Sequence, residues 1–212
     1  MGSPLSTEVE PEPAAAAEIF GDRIALARQF TDALAEHGEE RGLIGPLELP
    51  RLWTRHILNC AVVAPLLRPG KVGDVGSGAG LPGLVLAIAR PDVAFTLIEP
   101  MERRVTWLNE QVAELGLDNV EILRARAEEA PRYGFDQVTA RAVSAFRKLV
   151  PITAPLLRLG GELVFLKGAG AQAEIDAASK ELRKHRVHDV EVIVLGEGVL
   201  AEVTRVIRAT VN

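Results

Sequence analysis

The protein has 212 residues, of which 48% are hydrophobic, 25% charged and 4% aromatic, and its net charge at pH 7 is −5. This composition is typical of a globular protein and excludes a disordered or fibrous chain. No stretch reaches the roughly 18 consecutive apolar residues that a membrane helix needs, and the acidic, alanine-rich start lacks the pattern of an export signal. We therefore expect a cytoplasmic protein without a membrane segment.

The charge is distributed unevenly along the chain. The first 50 residues contain 10 Asp/Glu and 3 Arg, whereas the rest contain 19 Asp/Glu and 21 Lys/Arg. A basic face on the C-terminal part is therefore compatible with the net negative charge. Cys60 is the only cysteine, which excludes an internal disulfide and a multi-thiolate metal site and agrees with a reducing cytosol. We expect no metal site, because no metal-ligand pattern accompanies the histidines.

Sequence patterns divide the chain into three parts. Residues 1–13 are rich in Ser, Pro and Glu and predict a disordered lead. Residues 14–70 carry apolar residues at helical spacing, up to the stop at Pro69-Gly70, and predict a small N-terminal helical unit. Residues 71–212 alternate short apolar runs with amphipathic stretches, which is the pattern of βαβ units around a parallel sheet.

The elements of the third part follow from these runs. The strands are predicted at Val72–Val75, Ala94–Glu99, Val120–Ala125, Gln137–Ala140, Glu162–Lys167, Val190–Leu195 and Val203–Thr210. The helices are predicted at Leu81–Arg90, Arg103–Leu115, Phe146–Leu157 and Ala171–Lys184. Only a turn at Gly196-Glu197-Gly198 separates the last two strands, so they should form an antiparallel hairpin, because a parallel pair needs a crossover of a dozen or more residues.

A glycine-rich segment follows the first predicted strand and runs from Asp74 to Gly83 with the sequence DVGSGAGLPG. Glycines allow positive φ angles and a close approach of a ligand to the backbone. The backbone amides at the start of the next helix favour polar or anionic groups of a ligand. We interpret the segment as a ligand-binding loop; the alternative is a tight turn without a ligand.

Glu99 lies at the carboxyl end of the second predicted strand, where an acidic side chain can accept hydrogen bonds from both hydroxyls of a ribose. Two nucleoside cofactors then compete. Gly78-x-Gly80-x-x-Gly83 matches the dinucleotide fingerprint, whereas Gly76-x-Gly78-x-Gly80 after Asp74 matches the S-adenosylmethionine loop. The terminal hairpin favours the methyltransferase sheet. An NAD-dependent oxidoreductase and a catalytically silent module that binds cofactor or RNA stay open as alternatives.

Several short motifs occur in an order that resembles a known family. They are Arg55-His56-Ile57-Leu58, the segment Asp74 to Gly83, Arg90-Pro91, Arg103-Arg104, Ala127-Glu128, Arg141-Ala142 and Leu166-Lys167-Gly168. With these motifs the chain resembles the bacterial 16S rRNA guanine-N7 methyltransferases, also called the glucose-inhibited division protein B family, over roughly residues 19–210. Asn59-Cys60 and Ala142-Val143-Ser144 depart from the usual family sequence.

The resemblance implies an α/β fold with a seven-stranded Rossmann-like sheet and an antiparallel last strand. It also implies S-adenosyl-L-methionine as cofactor and a guanosine in the decoding-region loop of 16S ribosomal RNA as target; we expect a monomer. The cofactor-binding residues expected from the loop, the ribose carboxylate and the resemblance are Asp74, Gly76, Ser77, Gly78, Gly80, Leu81, Glu99, Ala127, Glu128 and Arg141. The residues expected to contact RNA are Arg55, His56, Arg103, Arg104 and Lys167.

The chemistry of this target needs little from the protein. N7 of guanine carries a free lone pair, so its methylation needs no general base, and the enzyme must align the two reactants and exclude water. We therefore assign no catalytic residue. The segment Thr139-Ala140-Arg141-Ala142 lacks the Asn/Asp-Pro-Pro-aromatic motif of methyltransferases that act on exocyclic amines. Cytosine C5 chemistry is disfavoured because its cysteine nucleophile would have to be Cys60, in the helical unit.

Overall fold

A seven-stranded sheet forms the centre of the protein, of which the computed structural model describes residues 8–212. The strands are β1 (Lys71–Val75), β2 (Ala94–Ile98), β3 (Val120–Leu123), β4 (Phe135–Arg141), β5 (Leu157–Lys167), β6 (Val187–Leu195) and β7 (Thr204–Val211). Their order is β3-β2-β1-β4-β5-β7-β6. The first five strands are parallel, and β7 is antiparallel to both β5 and β6. The predicted sheet with its terminal hairpin is confirmed.

Helices cover both faces of the sheet. In residues 8–212 the α-helices are α1 (Ala15–Phe20), α2 (Ile24–His37), α3 (Asn59–Ala61), α4 (Gly83–Ala89), α5 (Glu102–Leu115), α6 (Phe146–Thr153), α7 (Ala171–Asp176) and α8 (Ser179–Lys184). A π-helical segment, Leu52–Leu58, leads directly into α3. None of the helices in this part of the chain is long and apolar enough to cross a membrane.

Two predicted helices differ from the observed ones. The helix predicted up to Leu157 ends at Thr153, and a 3-10 turn over Ala154–Leu156 follows. Pro155 has no backbone N–H to continue the α-helical pattern, and Leu157 already belongs to β5. The helix predicted over Ala171–Lys184 is divided into α7 and α8, and at the break the Ser179 hydroxyl donates to the carbonyl of Asp176 at 2.7 Å.

The N-terminal helices share one hydrophobic core with the sheet. Phe30 and Leu34 of α2 are fully buried together with Ile57 of the π-helical segment, Val72 of β1 and Leu84 of α4. A second core on the opposite face contains buried residues of α6 and of β4, β5 and β7. The helical unit therefore covers one face of the sheet instead of folding around a core of its own.

The predicted disordered lead, residues 1–13, lies partly outside the described residues, which begin at residue 8. Residues 8–13 form neither helix nor strand, but they contact the helical unit. The backbone N–H of Glu10 donates to the Leu49 carbonyl at 2.9 Å, and the Glu10 carboxylate accepts from the N–H of Thr54 at 2.9 Å. Glu12 pairs with Arg28 at 2.6 Å. Polar contacts thus hold this short segment where the sequence offers little to bury.

The shared core predicts that the helical unit and the sheet unfold together. Leu34→Ala should lower the free energy of unfolding by about 2–5 kcal/mol, because it leaves a cavity at a fully buried site. Leu159→Ala is the control, since Leu159 is 82% exposed, and should change it by less than about 0.5 kcal/mol. Denaturant unfolding monitored by Trp fluorescence and by circular dichroism should give one coincident transition. Two separate transitions would show an independent helical unit.

Candidate active site

The buried carboxylate of Asp74 holds the glycine loop in place. Its Oδ2 accepts from the backbone N–H of Gly83 at 3.1 Å, and its Oδ1 accepts from the Thr139 hydroxyl at 3.0 Å. The Ser77 hydroxyl donates to the Asp74 carbonyl at 2.9 Å. Burial raises the pKa of the Asp74 carboxyl to about 6, although these hydrogen bonds act in the opposite direction. Asp74 thus lies behind the loop and connects its beginning with its end.

Two positions of the loop require glycine for different reasons: Gly78 for its backbone conformation and Gly83 for close packing. Gly78 has φ +55°, and a Cβ there would make only ordinary van der Waals contacts, the nearest at 3.7 Å. A ligand can therefore approach the backbone there. At Gly83, a Cβ would collide with Leu97 and lie 2.6 Å from the Asp74 carboxylate. Gly83 thus allows the close contact on which the Asp74 bond depends.

Glu99 closes the other side of the loop. It follows β2, is only 2% exposed, and accepts from the N–H of Gly78 at 2.9 Å and from the N–H of Met101 at 3.0 Å. The Nη1 atom of Arg104 lies 3.9 Å from the same carboxylate. Each carboxylate oxygen keeps a lone pair for a further donor. Glu99 is therefore held rigidly at the carboxyl edge of the sheet, where ligands bind in such folds.

The segment after β4 forms a third side of the site, and the sequence analysis noted Val143 only as part of a departure from the usual family sequence. Ala142 has φ +55°, an uncommon value for a residue with a side chain. Val143 is half-exposed and so close to Gly76 that a Cβ there would lie 2.7 Å from its Cγ2 atom. β4 is also longer than predicted, because the strand includes Arg141. This segment therefore lies over the start of the glycine loop.

The remaining expected cofactor residues lie in different surroundings. Ala127 is buried and Glu128 exposed in a 3-10 turn, Ala127–Glu129, and Ala127 packs in the core that also contains Val75 and Ile98 from the ends of β1 and β2. Arg141 points toward the π-helical segment. Its Nη1 donates to the Arg55 carbonyl at 3.1 Å, and its Nη2 lies 2.5 Å from Nδ1 of His56.

Two of the five residues expected to contact RNA are exposed and three are not. Arg55 and Arg103 are on the surface, and Arg55 lies 3.7 Å from Glu48 and 3.8 Å from Glu202. His56 is largely buried between Glu48 and Arg141. Arg104 points toward Glu99. The surface available to a phosphate is therefore smaller than the sequence suggested.

Lys167 in particular does not present a free ammonium group. Its side chain is 8% exposed, and Nζ donates to the Ser144 carbonyl and to Oε2 of Glu174, both at 2.8 Å. The same carboxylate oxygen accepts from the N–H of Phe146 at 2.6 Å. A buried ammonium group needs such partners. In this structure Lys167 thus fixes the segment after β4 and the start of α6, and its contact with RNA stays a prediction.

The buried position of Asp74 predicts that its carboxyl contributes to the pH dependence of the free energy of unfolding. Its pKa is about 6 in the folded protein and about 3.9 in an unfolded chain, so folding binds a proton between these values and stability falls as the pH rises through this window. Between pH 4 and 7, this effect lowers the free energy of unfolding by up to about 3 kcal/mol, and Asp74→Asn should abolish that decrease.

Denaturant unfolding of wild type and Asp74→Asn at both pH values measures this difference. Asp32→Asn, a change at an exposed position of α2, is the control and should retain the wild-type pH dependence. Identical pH dependence of wild type and Asp74→Asn would contradict the assigned effect of burial.

Known proteins resemble this chain in sequence and in fold. A family model described as rRNA small subunit methyltransferase G matches residues 23–203. The ribosomal RNA small subunit methyltransferase G of Leifsonia xyli subsp. xyli is 76% identical over 98% of this chain and 100% of its own length. Its counterpart in Clavibacter michiganensis subsp. michiganensis is 67% identical over 96% of this chain and 97% of its own length.

Solved structures share the fold at low sequence identity. An S-adenosylmethionine-dependent O-methyltransferase from Thermotoga maritima has a TM-score of 0.57 and 17% identity, covering 85% of this chain and 70% of its own. The tRNA (m1A58) methyltransferase TrmI from Aquifex aeolicus has a TM-score of 0.57 and 14% identity, covering 73% and 68%. The fold is that of S-adenosylmethionine-dependent methyltransferases, and the oxidoreductase alternative finds no support. The chain belongs to the rRNA small subunit methyltransferase G family.

Proposed function

We propose that this protein transfers the methyl group of S-adenosylmethionine to N7 of a guanosine in the decoding-region loop of 16S rRNA, as a cytoplasmic monomer. One observation carries the cofactor part: two buried carboxylates, Asp74 and Glu99, hold a glycine loop at the carboxyl edge of the sheet. Family membership supports ribosomal RNA as substrate. The exposed Arg55 and Arg103 supply positive charge for phosphate contacts.

The residues around the loop fit this cofactor. The free lone pairs of Glu99 suit the two hydroxyls of a ribose. Nε of Arg104 is buried and has no hydrogen-bond partner within residues 8–212, so a polar donor is unsatisfied beside Glu99. The absence of a side chain at Gly78 allows a ligand to contact the backbone. These features favour a ligand with a ribose and charged or polar ends.

The residues of the chain then have to align and shield the reacting atoms. S-adenosylmethionine supplies an electrophilic methyl group when bound. Since N7 of guanine has no proton to lose, no side chain must act as a base. The segment with Val143 lies beside the loop, in a position to exclude water from the transfer. Cys60 offers no nucleophile, because burial raises the pKa of its thiol to about 11.

The proposal is tested with unmethylated 16S RNA, both naked and assembled into small subunits. The protein and isotope-labelled S-adenosylmethionine should introduce one N7-methylguanosine, located by mass spectrometry of nuclease fragments. A methyl group on another atom, or no methylation of either substrate, would contradict the proposal. The molar mass of the purified protein, measured by light scattering, tests the proposed monomeric state. The mass of a dimer would contradict the monomeric state but not the proposed reaction.

Glu99 should be the main anchor of the cofactor ribose. Glu99→Ala removes charged hydrogen bonds worth about 1.5–3 kcal/mol each, so the Kd for S-adenosylmethionine should rise roughly tenfold or more. Glu102→Ala, three residues later on the exposed start of α5, is the matched control and should leave the Kd unchanged. Isothermal titration calorimetry measures both. Equal affinities of Glu99→Ala and wild type would contradict the assignment.

Arg55 and Arg103 should contribute to RNA binding through phosphate contacts. Arg55→Ala and Arg103→Ala should leave cofactor affinity at the wild-type level and reduce the slope of log K against log salt by roughly 0.7–0.9 for each lost contact. Arg158→Ala is the control, because Arg158 lies near the amino end of β5, away from the carboxyl edge of the sheet, and pairs with Asp136. Salt titrations of RNA binding that give the same slope for all variants would exclude this RNA face.

A further inference from the structure

A row of three polar side chains joins the helical unit to the end of β4. Nε2 of His56 lies 2.6 Å from Oε2 of Glu48, and Nδ1 of His56 lies 2.5 Å from Nη2 of Arg141. A guanidinium group only donates, so Nδ1 must accept the hydrogen bond from Arg141. The imidazole proton is therefore on Nε2 and is donated to Glu48. The two partners together select one neutral tautomer of His56.

Electrostatics support the same assignment. Burial and the positive charge of Arg141 lower the pKa of His56 despite its contact with Glu48. Burial opposes ionisation of Glu48, but hydrogen bonds from His56 and Arg51 lower its pKa below the usual value. Glu48 is thus an anion and His56 is neutral near pH 7. Without Glu48, the contact with Arg141 would be the one remaining polar contact that holds the His56 ring in this orientation.

Arg141 connects this row of side chains to the strand ends that carry the glycine loop. It is the last residue of β4, next to β1 with its buried Asp74, and its charge lowers the pKa of that carboxyl. Its Nη1 also contacts Sγ of Cys60 at 3.4 Å. Its Nε makes no hydrogen bond within residues 8–212, and two residues later Val143 reaches Gly76. The backbone of Arg141 thus lies close to the start of the glycine loop, and its guanidinium reaches from there to the π-helical segment.

The π-helical segment Leu52–Leu58 brings the helical unit into contact with Arg141 at the end of β4. This segment carries His56 and presents the Arg55 carbonyl to Arg141. π-Helical turns are rare in proteins, and many of those that occur lie at functional sites. Glu48 reaches His56 from the turn that precedes this segment. The helical unit therefore not only covers one face of the sheet but also holds the side chain of Arg141 at the sheet edge.

We propose that Glu48 is a positioning residue for the cofactor: through the Nε2–H of His56 it fixes the guanidinium of Arg141 next to the start of the glycine loop, where we expect S-adenosylmethionine to bind. This inference rests on the proposed function. Glu48 touches neither reacting group; its effect passes through His56 to Arg141.

A double-mutant cycle tests this order of action. Glu48→Ala should raise the Kd for S-adenosylmethionine about tenfold, the loss expected for one misplaced charged hydrogen bond, while Glu48→Gln, which still accepts from Nε2–H, should stay within about threefold of wild type. In an Arg141→Ala background, Glu48→Ala should have no further effect. Glu202→Ala is the control, because Glu202 pairs with Arg55 and with neither His56 nor Arg141 within residues 8–212. This variant should bind S-adenosylmethionine with the wild-type Kd.

Nitrogen-15 NMR of the histidine rings adds a readout that does not depend on catalysis. Nδ1 of His56 should show the chemical shift of an unprotonated nitrogen that accepts a hydrogen bond in wild type and Glu48→Gln, and should lose that hydrogen-bond shift in Glu48→Ala, where the ring is no longer held against Arg141. Equal cofactor affinity of Glu48→Ala and Glu202→Ala, or additive losses in the cycle, would overturn the inference. Failure of the wild-type protein to bind S-adenosylmethionine would instead overturn the proposed function, and this inference with it.

Discussion

A carboxylate without access to water must be hydrogen-bonded by the protein, and this constraint at Asp74 determines the geometry of the candidate site. Its oxygens are satisfied by the N–H of Gly83 and the hydroxyl of Thr139. These two bonds connect β1, β4 and the start of α4 at the carboxyl edge of the sheet. The chain between Asp74 and Gly83 must therefore fold back as a compact loop. Glu99 then accepts from Gly78 and holds the outer side of that loop.

The sheet holds the helical unit through a similar row of polar side chains. Gln137, Thr139 and Arg141 alternate along β4 and so lie on one face of the sheet. Gln137 donates to the Leu66 carbonyl and accepts from the N–H of Arg68, and Arg141 contacts the π-helical segment. Thr139, between them, bonds to Asp74. One strand thus joins the helical unit, the buried carboxylate and the glycine loop, so the helical unit borders the candidate site.

Local patterns made the fold and the glycine loop predictable from the sequence. The short turn after Leu195 leaves no room for a crossover, so the antiparallel hairpin followed from length alone. The glycine spacing after Asp74 and the acid at the end of β2 are also readable within a few residues. The sequence did not reveal what distant side chains do to each other. Arg141 and His56 are 85 positions apart, and only the packed fold brings them together.

The ion pair of Lys167 was equally unpredictable from the sequence. Its position at the end of a central strand predicts a ligand contact, and only the packed fold shows that Glu174 of α7 pairs with it. For the site, the most direct measurement is a crystal structure with S-adenosylhomocysteine bound. We predict that the ribose hydroxyls donate to Glu99, with the Gly78–Glu99 and Gly83–Asp74 hydrogen bonds intact. A nucleoside bound elsewhere, or a ribose beyond hydrogen-bond distance of Glu99, would contradict it.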